Sequence, residues 1–275
     1  MEINTLSKVP KITAWFWVVK LLTTAMGEST SDYLVNRFSP ALMVILSLLV
    51  LIAVLAVQFR TPRYVAWSYW LAALMVSVFG TMAADAAHVG LGIPYAFSTA
   101  LCALALVAVF VVWHRSEQTL SIHSINSTRR EAFYWCTALV TFALGTAAGD
   151  LVAISFHLGF LSAGVLFGVV FLVPALGYRF LKLDAIFTFW FAYIVTRPLG
   201  ASFADWFARA PSARGLGHGD GPVSLLLGVL IAAAVTYLSI THADDPNTGI
   251  AAGSQPAQPH ASSPPSEHGA TPLPP

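Results

Sequence analysis

Hydrophobic residues fall in eight long blocks along this chain, and two kinds of block alternate. The blocks are 12–35, 39–59, 65–88, 93–113, 132–156, 159–178, 185–208 and 222–241. Each has about the 20 residues that a helix needs to cross a bilayer core. The second, fourth, sixth and eighth are almost purely aliphatic, as in ALMVILSLLVLIAVLAV at 41–57. Three of these begin near a proline (Pro40, Pro94, Pro222) and the other at Gly159; a proline there suits the first turn of a helix. The odd blocks carry polar residues at fixed places. In each, a Trp is followed ten residues later by Gly and fifteen residues later by Asp. The sets are Trp17, Gly27, Asp32; Trp70, Gly80, Asp85; Trp135, Gly145, Asp150; and Trp190, Gly200, Asp205. Their starts are 53, 65 and 55 residues apart, so W-x9-G-x4-D marks an internal repeat.

This pattern predicts an all-α membrane protein. Eight transmembrane helices form four tandem parallel two-helix repeats, at about 12–59, 65–113, 132–178 and 185–241. Residues 1–11 read as a polar N-terminus carrying Lys8 and Lys11. They flank a retained signal-anchor, because no small-residue cleavage site follows. Residues 243–275 are rich in Pro, Ser, Ala and Gly without hydrophobic period, which predicts a disordered tail. The N-terminus and the joints between repeats hold nine Lys and Arg residues, against three in the connections within repeats. The basic side is expected to be cytoplasmic. Both termini then lie inside, and the patterned helices run outward from Trp to Asp.

Composition agrees with a lipid setting. The chain is 57% hydrophobic and 10% charged, with mean hydropathy +0.72, whereas a soluble domain carries about 25% charged residues. A net charge of +1 gives no reason to expect a nucleic-acid partner. The two cysteines, Cys102 and Cys136, lie in apolar segments and read as space fillers. No cofactor is implied.

The candidate chemistry lies on one stripe. Positions 7, 11 and 15 after each Trp recur on one helix face. They are Thr24, Glu28, Asp32; Ser77, Thr81, Asp85; Phe142, Thr146, Asp150; and Arg197, Ala201, Asp205. Lys20 lies one turn nearer the Trp, with Tyr193 as its counterpart in the last repeat. At about 1.5 Å per residue, Gly stands roughly 15 Å and Asp roughly 22 Å beyond the Trp. Charges at that depth are costly against lipid, so they must pair, bind something, hydrate or neutralise. Five acids against Lys20 and Arg197 leave a formal excess of three negative charges. The plainer alternative makes each Asp a loop or helix-end cap, and makes Glu28 a pairing partner for Arg197 or Lys20. The Gly residues read as packing positions and the Trp residues as interface anchors. Pro198 predicts a kink in the seventh span. His88, three residues after Asp85, could share a metal with it, although no fuller ligand set accompanies the pair.

The segments WVVKLLTTAMGESTSD, WLAALMVSVFGTMAAD, WCTALVTFALGTAAGD and WFAYIVTRPLGASFAD resemble the repeats of a bacterial integral membrane protein family of unknown function. That family is built from four tandem two-span repeats with a Trp in each, and its members are often labelled membrane-anchored proteins. The resemblance covers about residues 10–242. It implies this architecture and a bacterial inner-membrane location, and is silent on substrate.

Three classes of function are open at this point. A cation permease, for a divalent metal or a proton-coupled small solute, fits carboxylates at repeat interfaces. Its site would comprise Glu28, Asp32, Asp85, Asp150, Asp205, Lys20, Arg197, Thr24, Ser77, Thr81 and Thr146, and its partners would be the bilayer and a small cation. A homo-oligomer is compatible with it. A membrane scaffold or sensor would instead use the basic joint at 114–130 and the Pro-rich tail. An enzyme is not expected. Ala147-Ala148-Gly149-Asp150 lacks the first Gly of the G-x-G-D aspartyl protease motif, and no Walker loop, H-E-x-x-H or nucleophile elbow occurs.

Overall fold

The computed structural model describes residues 6–248. Among them the chain forms α1 (Ala14–Arg37), α2 (Pro40–Arg60), α3 (Ala66–Asp85), α4 (Tyr95–Glu117), α5 (Thr128–Asp150), α6 (Phe160–Leu181), α7 (Ala185–Ala208) and α8 (Asp220–Thr241). There is no strand among the described residues. α3 and α5 each run on into one π-helical turn, Ala86–Gly90 and Leu151–Ser155. Each apolar block has become one helix.

The caps follow from the sequence. The side chains of Thr13, Ser127 and Asp184 accept the backbone N–H of Phe16, Arg130 and Phe187 at the starts of α1, α5 and α7. Gly159 and Gly219, at φ +78° and +82°, admit α6 and α8 through a backbone conformation that side chains rarely adopt. Six helices, α2, α3, α4, α5, α6 and α8, are long and apolar enough to cross a membrane. The other two, α1 and α7, are each 24 residues long. They carry Lys20, Glu28 and Asp32, and Arg197 and Asp205, respectively.

The odd helices form an inner ring. α1 packs on α3, α3 on α5, α5 on α7, and α7 on α1. The even helices lie outside it, with only 17–22% of their apolar windows buried, against 50–56% for α3 and α5. Each covers the patterned helix of the following repeat: α2 lies on α3, α4 on α5, α6 on α7, and α8 on α1. The packed pair is therefore offset from the sequence repeat by one helix, and α8 closes the circle.

One rule of contact closes the ring at every step. The Gly ten residues after each Trp faces the side chain seven residues after the Trp of the next helix. Gly27 meets Ser77, Gly80 meets Phe142, Gly145 meets Arg197, and Gly200 meets Thr24. A Cβ on any of these four glycines would lie under 3.0 Å from that side chain. The packing expectation for the glycines therefore holds, and it is a statement about circular order. Pro198 joins the same contact, its ring against Gly145 and Gly149 of α5, while α7 continues unbroken past it.

Three expectations need correction. The repeat Trp residues are not exposed interface anchors. Trp70, Trp135 and Trp190 are buried, and Trp17 is half-buried against Phe171 and Phe189. They pack with the residue before each Trp, Phe16, Tyr69, Tyr134 and Phe189, in an aromatic layer that closes the Trp end of the ring. The N-terminal flank, expected as a polar segment whose lysines mark topology, packs its Lys8 into the bundle. Lys8 is buried and donates to Glu131 Oε2 at 2.6 Å and to the Phe59 carbonyl at 3.1 Å. Gln58 Nε2 donates to the other Glu131 oxygen at 2.9 Å. Residues 243–248 are not part of a loose tail. The Asp244 carbonyl accepts the Lys11 N–H at 2.8 Å, Tyr64 Oη donates to the Asp244 carboxylate, and Asn247 exchanges two hydrogen bonds with the Ser7 backbone. Burial pushes the Asp244 carboxyl above the usual carboxylate range. The rest of the predicted tail, 249–275, lies outside the described residues.

Trp70→Ala tests the corrected role of the Trp. Loss of a fully buried indole is expected to cost about 3–5 kcal/mol and to lower the melting temperature in detergent clearly. Truncation of the exposed Trp67, measured in the same way, should change it little. Equal, small effects would return the Trp residues to the interface.

Candidate functional site

The ring axis is filled in layers, read here from the Trp end. Beyond the aromatic layer, the hydroxyls of Tyr69 and Tyr134 hydrogen-bond each other. Next, the buried Lys20 ammonium stands 3.9 Å from the centroid of Tyr193 and 4.1 Å from that of Phe142. Its neighbours are ring faces, which stabilise a cation without a counter-charge. No carboxylate comes within salt-bridge distance of it among the described residues.

The middle of the axis belongs to Arg197. Its Nη2 lies 2.5 Å from Glu28 Oε2 and 2.7 Å from Thr146 Oγ1 and also contacts Thr81 Oγ1, sharing its two N–H groups among the three oxygens. Its Nη1 donates to the Thr24 carbonyl at 3.3 Å. Position 11 after Trp is Glu28, Thr81 and Thr146 in the first three helices, so one guanidinium gathers that layer from α1, α3 and α5. On its own helix the same position is Ala201, small enough to leave room. All four partners are buried, and so is Arg197 at 1% exposure.

The Asp layer divides in two. Arg209 Nη2 donates to Asp32 Oδ2 at 2.5 Å and its Nε to Asp205 Oδ1 at 3.0 Å, joining α1 to α7. Oxygens of Glu28, Asp32 and Asp205 lie within 4.8 Å of one another, and all three residues are buried. These three are the set that could hold a metal ion, at the expense of their guanidinium partners. Asp85 and Asp150 have no salt bridge among the described residues. Asp85 Oδ2 is buried with no hydrogen-bond partner among the described residues.

Most sequence-assigned residues converge, with exceptions. Lys20, Glu28, Asp32, Asp205, Arg197, Thr81 and Thr146 meet on the axis. Thr24 gives its hydroxyl to the Leu21 carbonyl of its own helix, and Ser77 Oγ is wedged against Gly27 with no partner. Both are packing residues whose side chains do not join the polar layer. His88 does not share a metal with Asp85. Its ring lies tilted against Tyr95 with centroids 4.1 Å apart, its Nδ1 contacts the Ile93 carbonyl at 3.0 Å, and Ser98 Oγ lies 3.2 Å from its Nε2. The ring nitrogens are used in tying the π-turn to α4. Sequence reasoning missed Arg209, assigning it to a connection. Its spacing of four from Asp205 was the available signal. With Arg209 counted, the formal excess of negative charge in the ring falls from three to two.

A groove of about 730 Å³ opens at the Trp end, among Trp17, Leu120, Ile122, Phe171, Tyr178 and Phe189. It is apolar and lies away from the carboxylates.

The Arg197 layer makes a quantitative expectation. Arg197→Ala leaves Glu28 buried without its partner and should cost about 3–5 kcal/mol. Combining it with Glu28→Leu should recover much of that loss, as read from melting temperatures in a double-mutant cycle. Additive losses would show that the pair is not coupled.

A family model described as "Repeat of Unknown Function (DUF347)" matches residues 15–64, 68–119, 133–183 and 188–244. No curated protein and no solved structure matches the chain.

Proposed function

The chain belongs to that repeat family, and on this footing we propose that it is a multi-pass permease for a cation, handled in the acidic half of the ring. All eight helices cross the bilayer, the Trp end and both termini face the cytoplasm, and the Asp end faces outward across a bacterial inner membrane. The single observation behind the reading is the arrangement of charge along the axis. Four Asp stand beyond an Arg197 plug that gathers three helices and includes the Glu28 carboxylate. A group of carboxylates held at such depth carries an energetic cost that a bound cation or protons would offset.

The geometry also suggests how passage would be controlled. The Glu28 carboxylate both holds Arg197 and belongs to the acidic cluster with Asp32 and Asp205. A cation that takes Glu28 from Arg197 would loosen the plug from the side it enters. The aromatic layer and Lys20 close the other half. The competing scaffold or sensor reading takes the basic joint 114–130 and the Pro-rich tail as contact surfaces. Within the joint Arg129 and Arg130 both pair with Glu117, at 3.3 and 2.8 Å, and Trp190 Nε1 donates to the Leu120 carbonyl at 2.9 Å, which fastens the joint to α7. The reading assigns no catalysis.

Flux measured in liposomes, with inorganic cations, protons and small organic ammonium ions offered in turn, tests this. The wild-type chain is expected to move at least one of them. Glu28→Gln, Asp85→Asn and Asp150→Asn should each abolish that flux while leaving the amount of reconstituted protein unchanged. No flux of any cation, or full flux in all three variants, would overturn the proposal.

A further inference from the structure

The four repeats treat their Asp residues unequally, and the inequality follows from one residue. Nineteen residues after Trp190 stands Arg209, which bridges Asp205 of its own helix to Asp32 of the next. The same position after Trp17, Trp70 and Trp135 holds Asn36, Val89 and Ile154. The chain thus supplies a guanidinium at one junction of the ring, between α7 and α1. The junction opposite, between α3 and α5, has the same Asp pair, Asp85 and Asp150, and valine at the sequence position that is arginine in the last repeat.

Two further observations mark that second junction. Asp85 Oδ2 is buried and has no hydrogen-bond partner among the described residues, and Asp85 lies within Coulombic range of Asp150. A buried carboxylate oxygen without a partner is costly and calls for a ligand or a proton. Moreover, α3 and α5 are the two ring helices that pass into π-turns directly after their Asp, Ala86–Gly90 and Leu151–Ser155. Such turns widen a helix locally and recur at binding sites.

We propose that Asp85 and Asp150 bind an organic cation of guanidinium or amidinium type, placed as Arg209 is placed at the opposite junction. The internal copy supplies the chemistry. A planar fork of N–H donors spans two carboxylates from adjacent helices, which a point charge does less well. This rests on the permease reading for its physiological meaning and names the substrate class for it. The binding site itself can be tested without transport.

Methylguanidinium is the probe, titrated against the full-length chain in detergent by calorimetry, with Mg²⁺ and Mn²⁺ titrated in parallel. Saturable binding of methylguanidinium is expected, weakened about 10-fold or more by Asp85→Asn and by Asp150→Asn. Val89→Arg offers the missing internal guanidinium. It should abolish probe binding while keeping or raising the melting temperature, and it guards against the Asp variants failing to fold. Absence of binding to the wild type would overturn the proposal, as would unchanged binding in Val89→Arg. A preference for Mg²⁺ or Mn²⁺ that needs both Asp residues would also overturn it, in favour of a metal. Cation flux without methylguanidinium binding would sink this proposal alone. Binding without any flux would sink the permease reading alone.

Discussion

One guanidinium holds the centre of this molecule together. Arg197 lies at the axis of four helices, is fully buried, and turns its two terminal nitrogens to Glu28, Thr81, Thr146 and a backbone carbonyl, while its Nε has no partner among the described residues. A charge so placed must be compensated on nearly every side, and three of the four ring helices do this from the same register. The fourth contributes Arg197 itself and a small Ala201. The polar layer is consequently a device for fixing register as well as a barrier across the axis. A slip of any ring helix by one residue would remove a partner from a buried cation.

The circular packing supplies the frame for that layer. Four glycines let each ring helix receive a side chain of the next, and the last receives the first. α8 covers α1 as α2 covers α3, so the chain behaves as a closed ring cut at one point. The cut is repaired by the short segments at either end. Ser7 and Lys11 bind Asn247 and Asp244, and Tyr64 reaches Asp244 from the first joint. Departures from fourfold repetition then mark the specialised places. Lys20, Glu28, Arg197 and Arg209 each occur in one repeat alone; Arg197 and Arg209 pair with Glu28, Asp32 and Asp205, and Lys20 lies against aromatic rings. Asp85 and Asp150 keep the repeat pattern and form no salt bridge among the described residues.

Much of this was legible in the sequence. Eight helices, their alternation, the repeat and the polar stripe follow from spacing, because a helix face recurs every three to four residues wherever the helix sits. The role of the glycines followed from their size. What spacing does not carry is which helix neighbours which. The repeat suggests that α1 pairs with α2, whereas α2 covers α3, a choice made in three dimensions. The Trp residues look like interface anchors because Trp favours that depth; they are buried because each lies beside an aromatic residue that faces the axis. Lys8 looks like a topogenic charge and is a buried partner of Glu131, which lies 123 residues further along the chain. Arg209 looks like a loop cation because it lies past the end of α7, yet its long side chain reaches back to two Asp residues. In each case the residue type was read correctly as polar or aromatic, and a partner distant in sequence decided its place.

The central claim is that the Asp end of the ring faces outside water while the Arg197 layer and the aromatic layer seal it from the cytoplasm. Single cysteines at Asp85, Asp150 and Ala73, in a chain with Cys102 and Cys136 replaced by serine, test this with a membrane-impermeant thiol reagent. The account predicts labelling at positions 85 and 150 from the outer side and none at 73 from either side. Labelling at 73 from the outer side, or at 85 and 150 from the cytoplasmic side alone, would contradict it.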